Sequence, residues 1–251
     1  MRRISNVRSV HGLALLLPLV LFLAYLASGC TNRSVVPSPV NLPHMPIEPF
    51  VAELQQQYPD TFSLRQRIWL DVGGKQYDFL GQLVMVRDQS FRAVAFGELG
   101  GLFLDILYRN DEVLILANPA GLPEKALREG VARDILHLFN SQSIAQGFLF
   151  AVDDSLIGFS HSPNENVRVE FLFSASPLQL QQSQSFYKNK ITRQVTYHNY
   201  RLLEGWQKML PTKIMVNNHT WRYRLEIDLL QITPSIDYQR AFPADLSRSK
   251  P

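Results

Sequence analysis

Apolar and polar residues alternate from Phe62 to Val72, with Phe62, Leu64, Ile68, Leu70 and Val72 set against Ser63, Arg65, Arg67, Trp69 and Asp71. A period of two puts successive side chains on opposite faces, the pattern of a half-buried strand. Gly73-Gly74 turns the chain into a second run, Lys75 to Val86. Three more runs follow, Phe91 to Phe96, Leu102 to Tyr108 and Val113 to Ala117. Only Arg87 to Ser90, Gly97 to Gly101 and Asn110-Asp111 separate them, and connections this short cannot carry the crossover that parallel pairing needs. The spacing predicts a five-strand antiparallel meander with one apolar face to cover.

The cover is visible in the sequence. Pro119 to Pro123 ends the meander, and Glu124 to Phe139 changes period, with Leu127, Val131, Ile135 and Leu138 on one helical face. Glu124 near its start and His137 near its end suit the helix dipole. A shorter helix is expected over Phe50 to Tyr58, where Phe50, Leu54 and Tyr58 are four apart and Pro59 stops it. Further strands are expected over Gly147 to Phe159, Asn166 to Ser174, Ile191 to Tyr200, Lys213 to Val216 and Trp221 to Ile232. Asp153-Asp154 reads as a hairpin turn, and the Gln/Ser-rich stretch Leu178 to Ser185 as a brief connection. The fold class is therefore α+β, mostly β. One domain is expected over 50–234, followed by a loose tail over 235–251.

Ahead of that domain, Met1 to Arg8 is basic, Leu13 to Leu26 is almost wholly apolar, and Ala27-Ser28-Gly29 precedes Cys30, the single cysteine. An apolar stretch of this length is short for a membrane span and suits an export signal over 1–29. Small residues before a lone cysteine resemble the lipobox of bacterial lipoproteins. That resemblance implies that Cys30 is acylated and attaches the chain to a bilayer. Thr31 stands where the enteric inner-membrane retention signal has Asp, so the resemblance implies the periplasmic face of the outer membrane. Residues 30–49, with prolines at 37, 39, 43, 46 and 49, read as an extended tether.

Composition removes several function classes. A hydrophobic fraction of 46% with 15 Phe and 9 Tyr demands a packed core. The net charge of +3 comes wholly from Arg2, Arg3 and Arg8; the remainder balances, leaving no footprint for nucleic acid. No phosphate-binding glycine loop is present, the histidines are scattered without a ligand spacing, and no cofactor or metal is expected. Gly158-Phe159-Ser160-His161-Ser162 resembles a nucleophile elbow. Ser162 replaces its last glycine, however, and Pro163-Asn164 follows where a helix is required, so a turn is expected there.

The order of elements resembles the LolA/LolB group of periplasmic lipoprotein carriers and receptors. Phe91 to Leu104 is similar to the strand, loop and strand that carry the protruding apolar residue of LolB, which would be Leu99; Glu98 replaces the usual proline. Leu122 to Phe139 is similar to the helix after the fifth strand. Met209-Leu210-Pro211-Thr212-Lys213-Ile214 with Trp221 to Leu229 is similar to the closing hairpin. A related group of uncharacterised outer-membrane lipoproteins shares this plan. The resemblance implies a curved antiparallel sheet, an unclosed half-barrel, with helices covering its concave face.

It also implies a cavity for acyl chains. Phe62, Leu64, Ile68, Leu70, Tyr77, Phe79, Leu83 and Met85, with Trp221, Tyr223, Leu225 and Ile227, are the candidate inward residues. Sequence alone leaves open whether they line a cavity or fill a core. The implied partners are the outer-membrane bilayer, a lipoprotein or lipid cargo and a periplasmic carrier, with Leu99 as the membrane or transfer loop. The competing readings are a non-catalytic envelope assembly module with a packed core and a hydrolase using Ser160 and His161.

Overall fold

In a computed structural model of the chain, residues 40–41, 45–97, 99–139, 147–153, 155–234 and 242 are described. The expected signal, Cys30 and most of the tether lie outside them.

The meander predicted from alternation is present as β2 (Thr61–Val72), β3 (Lys75–Val86), β4 (Ser90–Phe96), β5 (Leu102–Arg109) and β6 (Glu112–Ala117). Two elements precede it, β1 (Val40–Asn41) and α1 (Glu48–Gln56). The helix α2 follows, built from Glu124–Ala126, a π-helical turn Leu127–Val131 and Ala132–Phe139. A second meander then runs through β7 (Phe148–Ala151), β8 (Leu156–Asn164), β9 (Val167–Ala175), β10 (Leu178–Tyr187), β11 (Lys190–Leu202), β12 (Met209–Asn218) and β13 (Tyr223–Pro234).

All thirteen strands of the described residues form one antiparallel sheet, in the order β1, β7 to β13, then β2 to β6. The last strand of the chain thus pairs with the first of the main meander, from Tyr223 opposite Val72 to Pro234 opposite Phe62. The sheet is not closed, since β6 and β1 are its edges. Between β6 and β7 the chain must pass from one edge region to the other, and α2 occupies that connection across the inner face. The described residues make one compact unit with its own core.

Several expectations are corrected. Leu178 to Ser185 is no connection: it is most of β10, a strand in which Leu180, Ser183 and Phe186 are buried three apart, because register shifts against β9 between Leu180 and Gln182 and against β11 between Ser185 and Phe186 break the two-residue period. The two bulges, together with Gln and Ser at the half-buried positions, hide the strand pattern from the sequence. Gly158 to Ser162 is strand rather than turn, because β8 continues to Asn164, whose side chain accepts the Asn166 and Val167 amides and makes the turn. The run Gly147 to Phe159 divides where Asp153 accepts the Ser155 and Leu156 amides, as the expected hairpin turn requires. Trp221 precedes β13, because Arg222 adopts a left-handed φ of 53°. Within the expected tether, Val40–Asn41 pair with Ala151 and Phe150 and α1 begins at Glu48. In the tail expected to be loose, Phe242 is buried against Val86 and Leu107.

Candidate functional site

Register decides which residues share the inner face. Across β2 and β3, Phe62 faces Met85, Leu64 faces Leu83, Ile68 faces Phe79 and Leu70 faces Tyr77. On the other side of β2, Leu225 faces Leu70 and Ile227 faces Ile68. The eleven strand residues singled out from sequence therefore project from one face, and all join one core cluster with α1 and α2. Phe62, Leu64, Leu83 and Met85 are wholly buried, while Ile68 and Tyr77 are partly exposed. Trp221 approaches the same cluster from its turn, with the Lys125 ammonium 5.6 Å from its ring centre. A register shift between Leu229 and Gln231 in β13 leaves Leu230 as the extra, exposed residue. That bulge lets Leu229 and Ile232 both stay inside despite their odd spacing.

The helix α2 is held to this face by a polar group that sequence reasoning missed. The buried Asp134 carboxylate accepts hydrogen bonds from the Tyr223 hydroxyl and from Asn218 Nδ2 at 3.1 Å, and its other oxygen lies 3.0 Å from Arg193 Nε. One helical residue thus ties together β11, β12 and β13. Burial, followed by the Asp134 charge, pushes the Tyr223 phenol far up, so it stays protonated and donates. The signal was available: Asp134 interrupts the apolar stripe one residue before Ile135, and an acid there needs a buried partner. The helix also packs closely, because Gly130 lies against the Trp221 and Tyr223 rings. At the free edge, Arg128 donates to the Val113 carbonyl of β6.

Near α1 the inner face becomes more polar. Tyr58 stacks on Phe62 with ring centres 5.5 Å apart and meets Phe139 edge-on at 5.1 Å. Burial raises the Tyr58 phenol well above its ordinary range, with Tyr197 and Tyr200 adding to the effect. Trp206 donates its indole N–H to the Gln57 carbonyl at 3.2 Å, fastening the end of α1 to the β11–β12 connection.

Leu99 stands fully exposed on the β4–β5 hairpin. The Gly100 amide bonds to the Gly97 carbonyl at 2.8 Å and the Gly97 amide to the Gly101 carbonyl at 2.9 Å, with Gly100 at φ 78°. The left-handed backbone of Gly100 lets these two bonds close the hairpin with Leu99 outward. Beside it, on the outer face, Leu80 faces Phe96 and Phe96 faces Leu102, and all three are exposed.

Ser160 and His161 are consecutive in β8, so their side chains leave opposite faces of the sheet and make no nucleophile–base pair. Among the described residues no three His, Cys, Asp or Glu side chains converge as metal ligands. No described helix is long and apolar enough to cross a membrane.

No family model matches the chain, and no curated protein matches it. Solved structures do. A LolA-superfamily protein from Nitrosomonas europaea aligns with a TM-score of 0.50 at 11% identity, covering 79% of this chain and 98% of the other. A DUF1329-family protein from Desulfovibrio piger gives 0.52 at 8% identity, covering 79% and 96%. An outer-membrane lipoprotein-sorting protein domain from Vibrio parahaemolyticus gives 0.49 at 10% identity, covering 80% and 97%. With its open antiparallel sheet, its covering helices and its likeness to the Nitrosomonas and Desulfovibrio structures, the chain has a LolA-like half-barrel fold.

Proposed function

We propose that this chain is a lipid-anchored lipoprotein, on the periplasmic face of the outer membrane, that binds acyl chains between the inner face of its sheet and α2 and hands lipid or lipoprotein onward. The observation that carries the reading is the continuous apolar surface from Met85 to Ile227, covered by a helix that one carboxylate fastens to the sheet. Moving α2 exposes enough aliphatic and aromatic surface for a chain worth about 0.8 kcal/mol per buried CH₂. Cys30 is the proposed acylation site. With no nucleotide-binding loop in the sequence, transfer runs down an affinity gradient, from a periplasmic carrier to this site and then to the bilayer. Leu99, exposed on its hairpin, is the proposed insertion residue.

The test is the native mass spectrum of the chain from Thr31 onward, before and after delipidation. A discrete extra mass that extraction removes supports carriage and identifies the cargo. The bare polypeptide mass, with no uptake of added lipid, rejects it. The Leu99→Glu variant is expected to keep bound lipid but lose most of its transfer to vesicles; normal transfer would end the role of Leu99.

A second reading has its own observation. Phe62, Leu64, Leu83, Met85, Phe91 and Ile106 are wholly buried, as in a filled core, while Leu80, Phe96 and Leu102 are exposed together. That combination suits a non-catalytic assembly module that meets protein partners through its outer face. It is the reading that an empty mass spectrum would favour.

A further inference from the structure

Antiparallel order places the β2–β3, β4–β5, β8–β9, β10–β11 and β12–β13 hairpins at one end of the strands, with the remaining hairpins at the other. The two rims carry opposite charge. On the first, Lys75, Lys188, Lys190, Arg222 and Arg224 are exposed. Among the described hairpin residues, its acids are Asp71 and Glu165. Lys188 lies 5.5 Å from the Tyr187 ring centre, and none of these five cations has a carboxylate within ion-pair distance among the described residues. The opposite rim presents Asp60, Asp88, Asp111, Glu112, Asp153 and Glu204 against Arg87, Arg109, Arg201 and Lys208, and Arg87 is paired with Asp60.

The basic rim is also apolar in a particular way. At the β10–β11 hairpin, Tyr187 and Ile191 are 50% and 42% exposed and flank Lys188, Asn189 and Lys190. Lys188 and Asn189 both have positive φ, 49° and 62°, the two-residue turn that follows strand twist and makes a stiff tip. Phe148, at the start of β7 on the same rim, is 49% exposed, and Leu99 projects from the β4–β5 hairpin. Leu202 and Met209 are exposed on the other rim, but Glu204 lies between them in the chain. Between Asp71 and the β12–β13 turn, a depression of about 580 Å³ is lined by Asn217, His219, Arg222 and Arg224.

We infer that this rim docks on an anionic phospholipid bilayer, with the Tyr187–Ile191 tip as a contact separate from Leu99. Aromatic and aliphatic tips seat at the interface while lysines and arginines meet the phosphates. Charge complementarity selects a bilayer with anionic headgroups, and the acidic rim points away from it. The inference rests on the lipid-anchored reading only in expecting a membrane to be near.

The test is flotation of the chain from Thr31 onward, which lacks the acylated cysteine, with phosphatidylethanolamine/phosphatidylglycerol vesicles and with neutral phosphatidylcholine vesicles. Binding to the anionic vesicles is expected to be about tenfold stronger and to disappear in about 0.5 M salt. The Lys188→Glu/Lys190→Glu variant is expected to lose most of that gain. Arg201→Glu/Lys208→Glu, the same charge change on the other rim, is expected to retain it. Equal loss in both variants, or equal flotation on both vesicle types, overturns the inference. Bound lipid is read by mass spectrometry on the same preparations. A protein that floats but holds no lipid sinks the carriage reading and leaves the rim, and the converse result does the opposite.

Discussion

Asp134 is the residue on which the cover of the sheet depends. Its carboxylate is buried with Arg193, Asn218 and Tyr223, so removing it strands a guanidinium in the core. Asp134→Ala is expected to cost about 3–5 kcal/mol in urea unfolding. Adding Arg193→Met is expected to recover part of the loss, because the orphaned charge goes with it. A second single-residue constraint is Gly158, where a Cβ would stand 2.1 Å from Phe150 Cζ. Gly158→Ala is therefore expected to destabilise by about 1–3 kcal/mol in the same assay, and the added Phe150→Ala to relieve much of that clash.

At the scale of elements, α2 combines a strong apolar stripe with an internal glycine. Gly in a helix costs about 1 kcal/mol relative to Ala, yet at Gly130 a Cβ would lie 3.0 Å from both Trp221 Cδ1 and Tyr223 Cε1. Close approach of helix to sheet explains the glycine. Gly130→Leu is expected to lift α2, raising its amide hydrogen exchange at least about tenfold while β2 and β3 keep their protection. β10 shows the opposite relation between sequence and element. Its Gln/Ser composition looks like a linker, but Leu180, Ser183 and Phe186 bury one face between β9 and β11. β12 accepts Pro211 opposite Tyr200, in the stretch that precedes the start of its pairing with β13 at Lys213.

For the whole molecule, the seam between β13 and β2 decides cooperativity. It joins two meanders that are far apart in sequence and spans nearly all of β2, from Phe62 to Val72. Neither meander has a covered inner face without the other's support, since α1 and α2 pack on both. Unfolding followed by far-ultraviolet and near-ultraviolet circular dichroism is expected to give one coincident transition; two separated midpoints would show independent halves. The same seam gives the rims their identity, because it puts the β12–β13 turn beside Gly73-Gly74.

What the amino-acid order determined by itself is what depends on neighbours in the chain. Strands alternating from Phe62 onward, glycine turns, the helical stripe of Leu127 and Ile135, and an exposed Leu99 between glycines are all local patterns. Period and turn chemistry specify them before anything packs. Phe62 to Met85 were legible as one set because the two-residue period started at Phe62 continues through the Gly73-Gly74 hairpin, whereas which face turns inward, and that Tyr223, Leu225 and Ile227 join it, came from the pairing of β13 with β2. The tertiary structure alone decided what requires contact across the chain. It brought Asp134 to Arg193, moved Trp221 off β13, made β10 of a polar stretch, buried Phe242 and gathered Lys190 and Arg222 onto one rim. Each of these follows from pairing or burial between residues distant in sequence, where free energy is gained only after the loop between them has closed.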